Sequence, residues 1–422
     1  MATHRPGVHF EILSNPEFLA AGTAVNDLLY PDRVLIGSSP TCSGHKAAEA
    51  LASVYNAWVP RNRIVTTNVW SSELSKLVAN SMLAQRISSI NSIAAICERT
   101  GADVDEVAVS IGCDPRIGDK FLKAGIGFGG SCFKKDVLSL VYLAESLGLD
   151  EVAEYWNQVV KINEYSRNRF TKRVIKCLNN TLAGKKLTVL GYAFKKNTSD
   201  TREAPALEVI KTLLEEGPRE IAVFDPCCNP VVVKEEIKQL LKDSKVLVED
   251  GGRVQVYSNA YEACAGSHAV LITTEFDEFR TTKSPTNLVH GASVKQDRPK
   301  SNSDVADPRP FERLDPTESD LLSLQRFLIH SDTSGSPDAL DPLQRYHPEP
   351  SCPDDCPDCA MESRGFTVHE EYKPKERLDW AKISYHMRQP RWVLDGRGVL
   401  DAQEMANLGV KLETVGRQSN LS

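Results

Sequence analysis

The chain has 422 residues, with 50 Lys and Arg against 57 Asp and Glu for a formal charge of -7. That length holds two or three domains with their own cores, which excludes a disulfide-stapled miniprotein. The acidic balance excludes a general polyanion binder, so nucleic acid is not an expected partner, while a local basic pocket remains open.

No apolar run reaches the ~18 residues of a spanning helix, so no membrane partner is expected. The opening MATHRPGVHF has no signal-peptide core. Eleven scattered cysteines, an odd number, read as reduced thiols of a cytoplasmic protein.

Residues 1–68 mix short apolar runs (VHFEIL, DRVLIG, RIVTT) with a helical segment at Lys46 to Tyr55, the closing part of an α/β domain whose opening elements are not seen. Residues 69–168 read as helical. Ser71 or Ser72 can cap a helix whose apolar positions recur with helical spacing until Gly101. A second helix is expected from Asp103 to Ile111, then a glycine-rich break at Gly125 to Gly130, then a helix after Ser131.

From residue 184 strands and helices alternate: KKLTVLGYAF, a helix from Pro205 to Glu216, EIAVFDP ending on Asp225, a helix near Ala260 to Ala263, and AVLITT. That alternation predicts an α/β fold with a doubly wound, Rossmann-like sheet, whose ligands sit at the carboxyl ends of the strands. Residues 281–378 hold about half of the chain's 23 prolines and read as an insertion too polar to fold, with one helix at Glu318 to His330. RWVLDGRGVLD and VKLETVG then resume the sheet, so the α/β domain is 169–280 plus 379–416.

The densest chemical signal is GIGFGGSCFKKD. Its glycines let backbone amides approach a sugar or phosphate, and a helix starting at Ser131 places Cys132 in its first turn beside Lys134 and Lys135. Asp136 shares a face with Cys132. A glycine-rich loop with an inert thiol explains the same residues, and the spacing is not that of a dinucleotide turn.

Lys76 and Asn80 share a helix face and can present an ammonium and an amide to one ligand, or simply face solvent. Glu17, on a Pro-marked turn, can act as a base or cap a helix. Lys195, Lys196 and Arg202 follow a strand expected to end at Phe194, where a diphosphate or a plain surface loop would sit. His347, Cys352, Cys356, Cys359 and His369 approach zinc-ligand spacing but depart from the paired pattern, so no metal is assigned.

Taken together, LSNPEFLAAGTA, PDRVLIG, TTNVWSSELSKLVANSMLAQRISSINSI, RIGDKFLKAGIGFGGSCFKKDVL, EYWNQVVKIN, GYAFKKNTSDTRE and DGRGVLD resemble the UDP-glucose 6-dehydrogenase family, in its order. The resemblance implies two NAD-dependent oxidations of UDP-glucose to UDP-glucuronate. In it Cys132 is the nucleophile, Glu17 an acid/base, Asp136 the carboxylate that activates water, and Lys76 with Asn80 the stabilisers of an oxyanion. It also implies a homo-oligomer built on the helical region 69–168 as a dimerisation domain.

Substrate contacts carried over are Phe18, Leu19, Ala20, Lys123, Gly125, Gly127, Phe128, Phe194, Lys195 and Arg397, with Arg116 reaching a neighbouring subunit. Cys132, Phe133, Lys134, Lys135 and Arg202 match positions near NAD. The sequence departs from the family in having no G-x-G-x-x-G half, in Ala21 for a glutamate, and in the Pro-rich insertion. On that ground residues 1–68 are read as the remnant of an N-terminal Rossmann domain in a truncated, inactive chain. The alternative is a non-catalytic UDP-sugar-binding or oligomerisation module.

Overall fold

The structure is a computed structural model, and it describes residues 10–241, 245–281 and 376–418. The expected helix at Glu318 to His330 and the Cys and His cluster lie outside the described residues. Of the chain's two compact units, 289–374 likewise falls outside them, and everything below concerns the other, 1–288 with 375–422.

Near the N-terminus, α1 (Ala24–Leu29) precedes β1 (Val34–Ser38), α2 (Cys42–Tyr55) and β2 (Ile64–Asn68). Strands β1 and β2 pair in parallel, joined through α2. Val34, Ile36, Ala48, Ala52, Val59 and Ile64 form their own small core. The VHFEIL run forms no named strand among its described residues; the chain there touches the sheet only by a bridge from Ser14 to Gly37.

Helix α3 runs from Val69 to Thr100 and ends on Gly101 in the left-handed conformation. Its cap is Asn68, whose side chain accepts from the Ser71 amide at 2.8 Å, and not Ser71 or Ser72. Asn68 is the last residue of β2 and keeps the extended conformation an N-cap requires. Helix α4 (Val104–Gly112) is capped by Asp103, α5 spans Phe133–Ser146, and α6 spans Asp150–Cys177. Helix α6 passes unbroken through residue 168, so the boundary placed there falls inside one helix. Nothing from Asp150 to Cys177 is a Gly or Pro that would stop it.

The remaining elements are β3 (Lys186–Leu190), α7 (Pro205–Glu215), β4 (Glu220–Phe224), α8 (Pro230–Leu241), β5 (Val254–Val256), α9 (Ala260–Cys264), β6 (Ala269–Ile272), α10 (Trp380–His386), β7 (Trp392–Asp395), α11 (Ala402–Asn407) and β8 (Lys411–Thr414). The sheet order is β5-β4-β3-β6-β7-β8 and every pairing is parallel. This is the doubly wound order, which reverses between β3 and β6 and opens a crevice at their carboxyl ends. Strands β3 and β6 are buried along their whole length, as expected of a sheet covered on both faces.

The chain leaves the sheet domain after Thr281 and re-enters by Leu378, whose amide donates to the Glu278 carbonyl at 2.8 Å. Trp380 then bonds the Phe279 carbonyl at 2.9 Å. Thr281 and Leu378 therefore belong to the folded domain, although both lie within the expected insertion 281–378.

The helical layer is tied to the sheet by a buried charge cluster. Glu98 of α3 receives Arg169 and Arg173 of α6, and its other oxygen accepts the Gly416 amide at 2.8 Å. Arg173 also reaches Glu413 of β8 at 3.7 Å. Burial holds the Arg169 guanidinium below its ordinary value, and Glu98 works in the opposite sense.

Candidate active site

Five segments converge: the turn at 15–20, the first half of α3, the loop 113–132 with the start of α5, the loop after β3 and the loop after β7. Lys76 donates to the Glu17 backbone carbonyl and lies 3.5 Å from its carboxylate. Glu17 also accepts the Leu19 amide at 2.6 Å, so its carboxylate caps its own turn. The Phe18 ring lies under Arg33, 3.8 Å from its centroid, with the Lys76 ammonium at 5.3 Å. Ala20 donates its amide to Asp27, which with Thr23 holds that carboxyl below its usual range.

One turn along α3, Asn80 donates to Asp136 at 2.6 Å. Asp136 is buried, and Lys135 lies 3.6 Å from its second oxygen. Its amide donates to the Cys132 carbonyl at 2.9 Å, which stacks the thiol one turn above the carboxylate. Cys132 occupies the N-cap of α5, one residue earlier than the first-turn position read from the sequence, and it is exposed. The Ser131 hydroxyl stands 3.9 Å from its sulfur.

Phe133 packs edge-on to Phe128, with centroids 5.6 Å apart. Lys134 is not free to favour a thiolate, because it pairs with Glu203 at 3.2 Å. Arg202, in electrostatic contact with Cys132, is held by Asp200 at 2.7 Å, which raises its affinity for its proton.

The glycine-rich loop differs from its sequence reading. The amide of Gly125 goes to the buried Asn91 side chain at 2.8 Å, that of Ile126 to Gly396, that of Phe128 to Asn163 at 2.8 Å, and that of Gly130 to Arg202. Asn163 also donates back to the Phe128 carbonyl at 3.0 Å. These amides lock the loop between α3, α6 and the sheet and are not offered to a ligand. Gly127 has φ of 102°, and a Cβ there would collide with the Asn163 amide. At Gly125 a Cβ would meet the Gly396 carbonyl at 2.8 Å.

Arg397 reaches two backbone carbonyls from the loop after β7. Its Nε donates to the Thr273 carbonyl at 2.8 Å and Nη1 to the Gly127 carbonyl at 2.9 Å, while Nη2 is buried without a partner. Burial lowers its proton affinity, which Glu275 and Asp395 partly restore. Its loop is held by Asp395, whose carboxylate accepts the amides of Arg397, Gly398, Val399 and Leu400. Asp225 at the end of β4 is built alike, accepting the amides of Tyr192, Ala193, Cys227 and Cys228.

Phe194 lies in a loop and not a strand, since β3 stops at Leu190 and Asp225 captures the next amides. The edge of its ring closes on Gly130, and Lys195 stands 5.5 Å from its centroid. Lys196 is bound to Asp277 at 2.9 Å. Arg116, 88% exposed, pairs with Asp114 at 2.6 Å, and Lys123 pairs with Asp105 at 2.6 Å while its ammonium lies beside the Arg397 loop, 3.0 Å from where a Cβ on Gly398 would stand.

Sequence reasoning missed Asn91, Asn163 and Glu98. A signal existed for two of them: Lys76, Asn80, Asn91 and Glu98 fall within about 60° of one another on a helical wheel, a polar stripe on a helix otherwise read by its apolar positions. Among the described residues no His, Cys, Asp and Glu side chains gather as a metal site, and no described helix is long and apolar enough to cross a membrane.

A doubly wound parallel sheet, a helical layer locked to it and an exposed thiol at their junction define the chain as a Rossmann-like α/β protein. The chain belongs to the UDP-glucose/GDP-mannose dehydrogenase family. Its NAD binding domain profile matches residues 1–59, its central domain profile 70–165 and its UDP binding domain profile 188–296.

The chain is similar to a UDP-glucose 6-dehydrogenase of Drosophila melanogaster, 53% identical over 279 residues, covering 66% of this chain and 58% of that protein. It is likewise similar to one of Bos taurus, 55% identical over 281 residues, covering 66% and 56%. The chain thus spans little more than half the length of these relatives. Among solved structures, a UDP-glucose dehydrogenase of Pyrobaculum islandicum aligns with a TM-score of 0.55 at 35% identity, covering 64% of this chain and 57% of that one. A UDP-D-ManNAc dehydrogenase of Pyrococcus horikoshii, TM-score 0.59 at 19% identity over 98% and 66%, shares the fold.

Proposed function

We propose that the chain carries the substrate-binding and thiol-bearing portion of a UDP-glucose 6-dehydrogenase, which oxidises UDP-glucose to UDP-glucuronate. The observation that carries the reading is the Asn80 to Asp136 bond of 2.6 Å, which sets the Lys76 turn of α3 against the Cys132 turn of α5. One nucleophile, one cation with an amide beside it, and two carboxylates are the groups such a reaction needs.

NAD, the family's cofactor, accepts a hydride from C6 in each of the two oxidations. On this chain Arg202, 68% exposed and in electrostatic contact with Cys132, fits an anionic cofactor, and Lys134 would stand with it. Glu17 would take the hydroxyl proton. Cys132 sulfur would add to the C6 aldehyde, with the alkoxide of the thiohemiacetal facing Lys76 and Asn80. After oxidation to the thioester, Asp136 would deprotonate the water that cleaves it, releasing the carboxylate and restoring the thiol.

The buried and unpartnered Nη2 of Arg397 would meet the uridine diphosphate. Phe18, Leu19, Ala20, Phe194 and Lys195 complete the substrate contacts. Exposed apolar side chains on α5 and α6, Leu138, Tyr142 and Tyr155 among them, support a homo-oligomer through the helical layer. All eight described cysteines are free, which supports a cytoplasmic setting.

The test incubates the purified chain with UDP-glucose and NAD, follows NADH and UDP-glucuronate, and measures UDP-glucose binding by calorimetry. The Cys132→Ala variant should bind UDP-glucose within about threefold of wild type and form no UDP-glucuronate. A variant that still forms it would overturn the assignment of Cys132. Binding without turnover by the wild type would instead mark a UDP-sugar-binding module.

A further inference from the structure

The candidate active site lies at the carboxyl ends of the strands, and the opposite, amino edge of the same sheet carries a row of cations. Lys185, Arg219, His268 and Arg391 immediately precede β3, β4, β6 and β7. Arg388 joins them by donating its amide to the Ser267 carbonyl at 2.9 Å, and its Nε lies 3.9 Å from where a Cβ on Gly266 would stand. Strands β4, β3 and β6 are neighbours, so Arg219, Lys185 and His268 span about 10 Å at ordinary strand spacing. A strand's length, about 16 Å, separates this edge from the loops that bear Phe194 and Arg397.

These charges are gathered and unanswered. Arg219, Arg388 and Lys185 all bear on His268, whose affinity for its proton is lowered by burial and, after it, by those three cations. The acid on this edge, Glu220, is already held by Lys186 at 3.1 Å and by the Tyr257 hydroxyl at 2.8 Å. Among the described residues, the Lys185 ammonium bonds only the Thr181 carbonyl at 2.7 Å and Arg391 only the Met387 carbonyl at 3.4 Å. The exposed guanidiniums of Arg219 and Arg388 have no hydrogen-bond or ion-pair partner among those residues. The chain leaves and re-enters this domain at the far end of β6, where Leu378 bonds Glu278.

Every group in the row donates and none accepts. His268 fits this, because its Nδ1 accepts the Lys186 amide at 3.2 Å, which leaves the ring hydrogen on Nε2. Crowded cations repel one another, and the group that relieves them is an anion. Guanidinium forks match phosphate oxygens two at a time. A ligand with charges strung along a chain answers a row of strand ends better than a single carboxylate does.

The geometry points to a binding site for an oligophosphate chain, gripped by Arg219, Arg388 and Lys185 with the His268 ring as a fourth donor. The site is independent of the dehydrogenase reading.

The test is calorimetry on the full chain in excess UDP, with sodium tripolyphosphate and orthophosphate as probes. Tripolyphosphate should bind at one saturable site, at least about tenfold more tightly than orthophosphate. Arg219→Gln with Arg388→Gln should weaken it at least about tenfold while UDP binding stays unchanged. Lys161→Gln with Lys172→Gln, which removes the same charge from the exposed face of α6, should weaken it less than about twofold. ATP carries the same chain on a nucleoside: tighter binding than tripolyphosphate identifies a nucleotide as the source, and weaker binding the free chain. Equal affinity for the two phosphates, undiminished binding by the arginine pair, or equal weakening by the lysine pair overturns the proposal. Should the arginine pair not fold, Arg388→Gln alone is read against Lys161→Gln alone.

Discussion

Gly127 is the residue on which the glycine-rich loop turns, and Gly127→Ala tests whether that loop is a packing device. Two costs add. The backbone there has φ of 102°, where an L-residue carries a penalty of about 1 to 2 kcal/mol. A Cβ would also stand 3.1 Å from Asn163 Cγ and 3.3 Å from its carbonyl oxygen, and closer still to its amide oxygen. The Asn163 side chain must then leave, breaking its paired bonds to Phe128. Orphaning a buried polar group costs about 1 to 3 kcal/mol, so the sum is about 2 to 5 kcal/mol.

Chemical denaturation followed by tryptophan fluorescence measures it. Gly118→Ala is the control, because Gly118 has φ of 68° with nothing within 4 Å of a Cβ. It isolates the backbone penalty at about 1 to 2 kcal/mol. Asn163→Ala should itself destabilise, and the double variant should cost less than the two singles together. If Gly127→Ala costs no more than Gly118→Ala, the lock between Asn163 and the loop does not exist in solution and the reasoning fails.

Two further outcomes follow from buried groups. Burial pushes the Cys177 and Cys264 thiols up to about 12 from an ordinary 9.0. Between those values the unfolded chain has lost protons that the folded chain keeps, so stability falls as pH rises, by up to about 1.4 kcal/mol per unit for each thiol. Denaturation midpoints should drop from about pH 9 upward, less steeply in Cys264→Ala; a flat profile would refute the burial argument. Glu98→Gln leaves Arg169 without its carboxylate and Arg173 with Glu413 alone, and should cost about 3 to 5 kcal/mol, read by the same denaturation assay. A loss below about 1 kcal/mol would show that the cluster does not hold the helical layer to the sheet.

Much of this architecture was legible in the chain. The alternation of apolar runs and turn residues is that of the parallel sheet, and Asn80, Cys132 and Asp136, each read from the sequence as chemically capable, lie close together in the structure. What stayed hidden has physical causes. Three polar residues compete to cap α3, and only the extended backbone at Asn68 decides among them. GYAF reads as more strand, but Gly191 turns with φ of 94° and Asp225 takes the next two amides. Neither event has a local signature, because the capturing carboxylate lies a whole βα unit away in sequence. Lys134 pairs with Glu203, 69 residues on, while Arg202 pairs with Asp200, two residues before it, and stays exposed.

The polar stripe of α3 joins these observations into one account of how the site is kept in place. Lys76 holds the Glu17 turn, Asn80 holds Asp136 beneath the thiol, Asn91 holds the amide of Gly125, and Glu98 holds α6 and the strand end at Gly416. From Lys76 to Glu98 the helix measures about 33 Å at 1.5 Å per residue. One rigid element thus fixes the register between the N-terminal turn, the thiol, the glycine-rich loop and the sheet that carries Arg397. The contacts of Asn80, Asn91 and Glu98 are buried or partly so and would be costly unpaired, so a shift of α3 by even one residue would strand several groups at once. The helix does not merely bury an apolar face; it sets the distances on which any chemistry at the thiol depends.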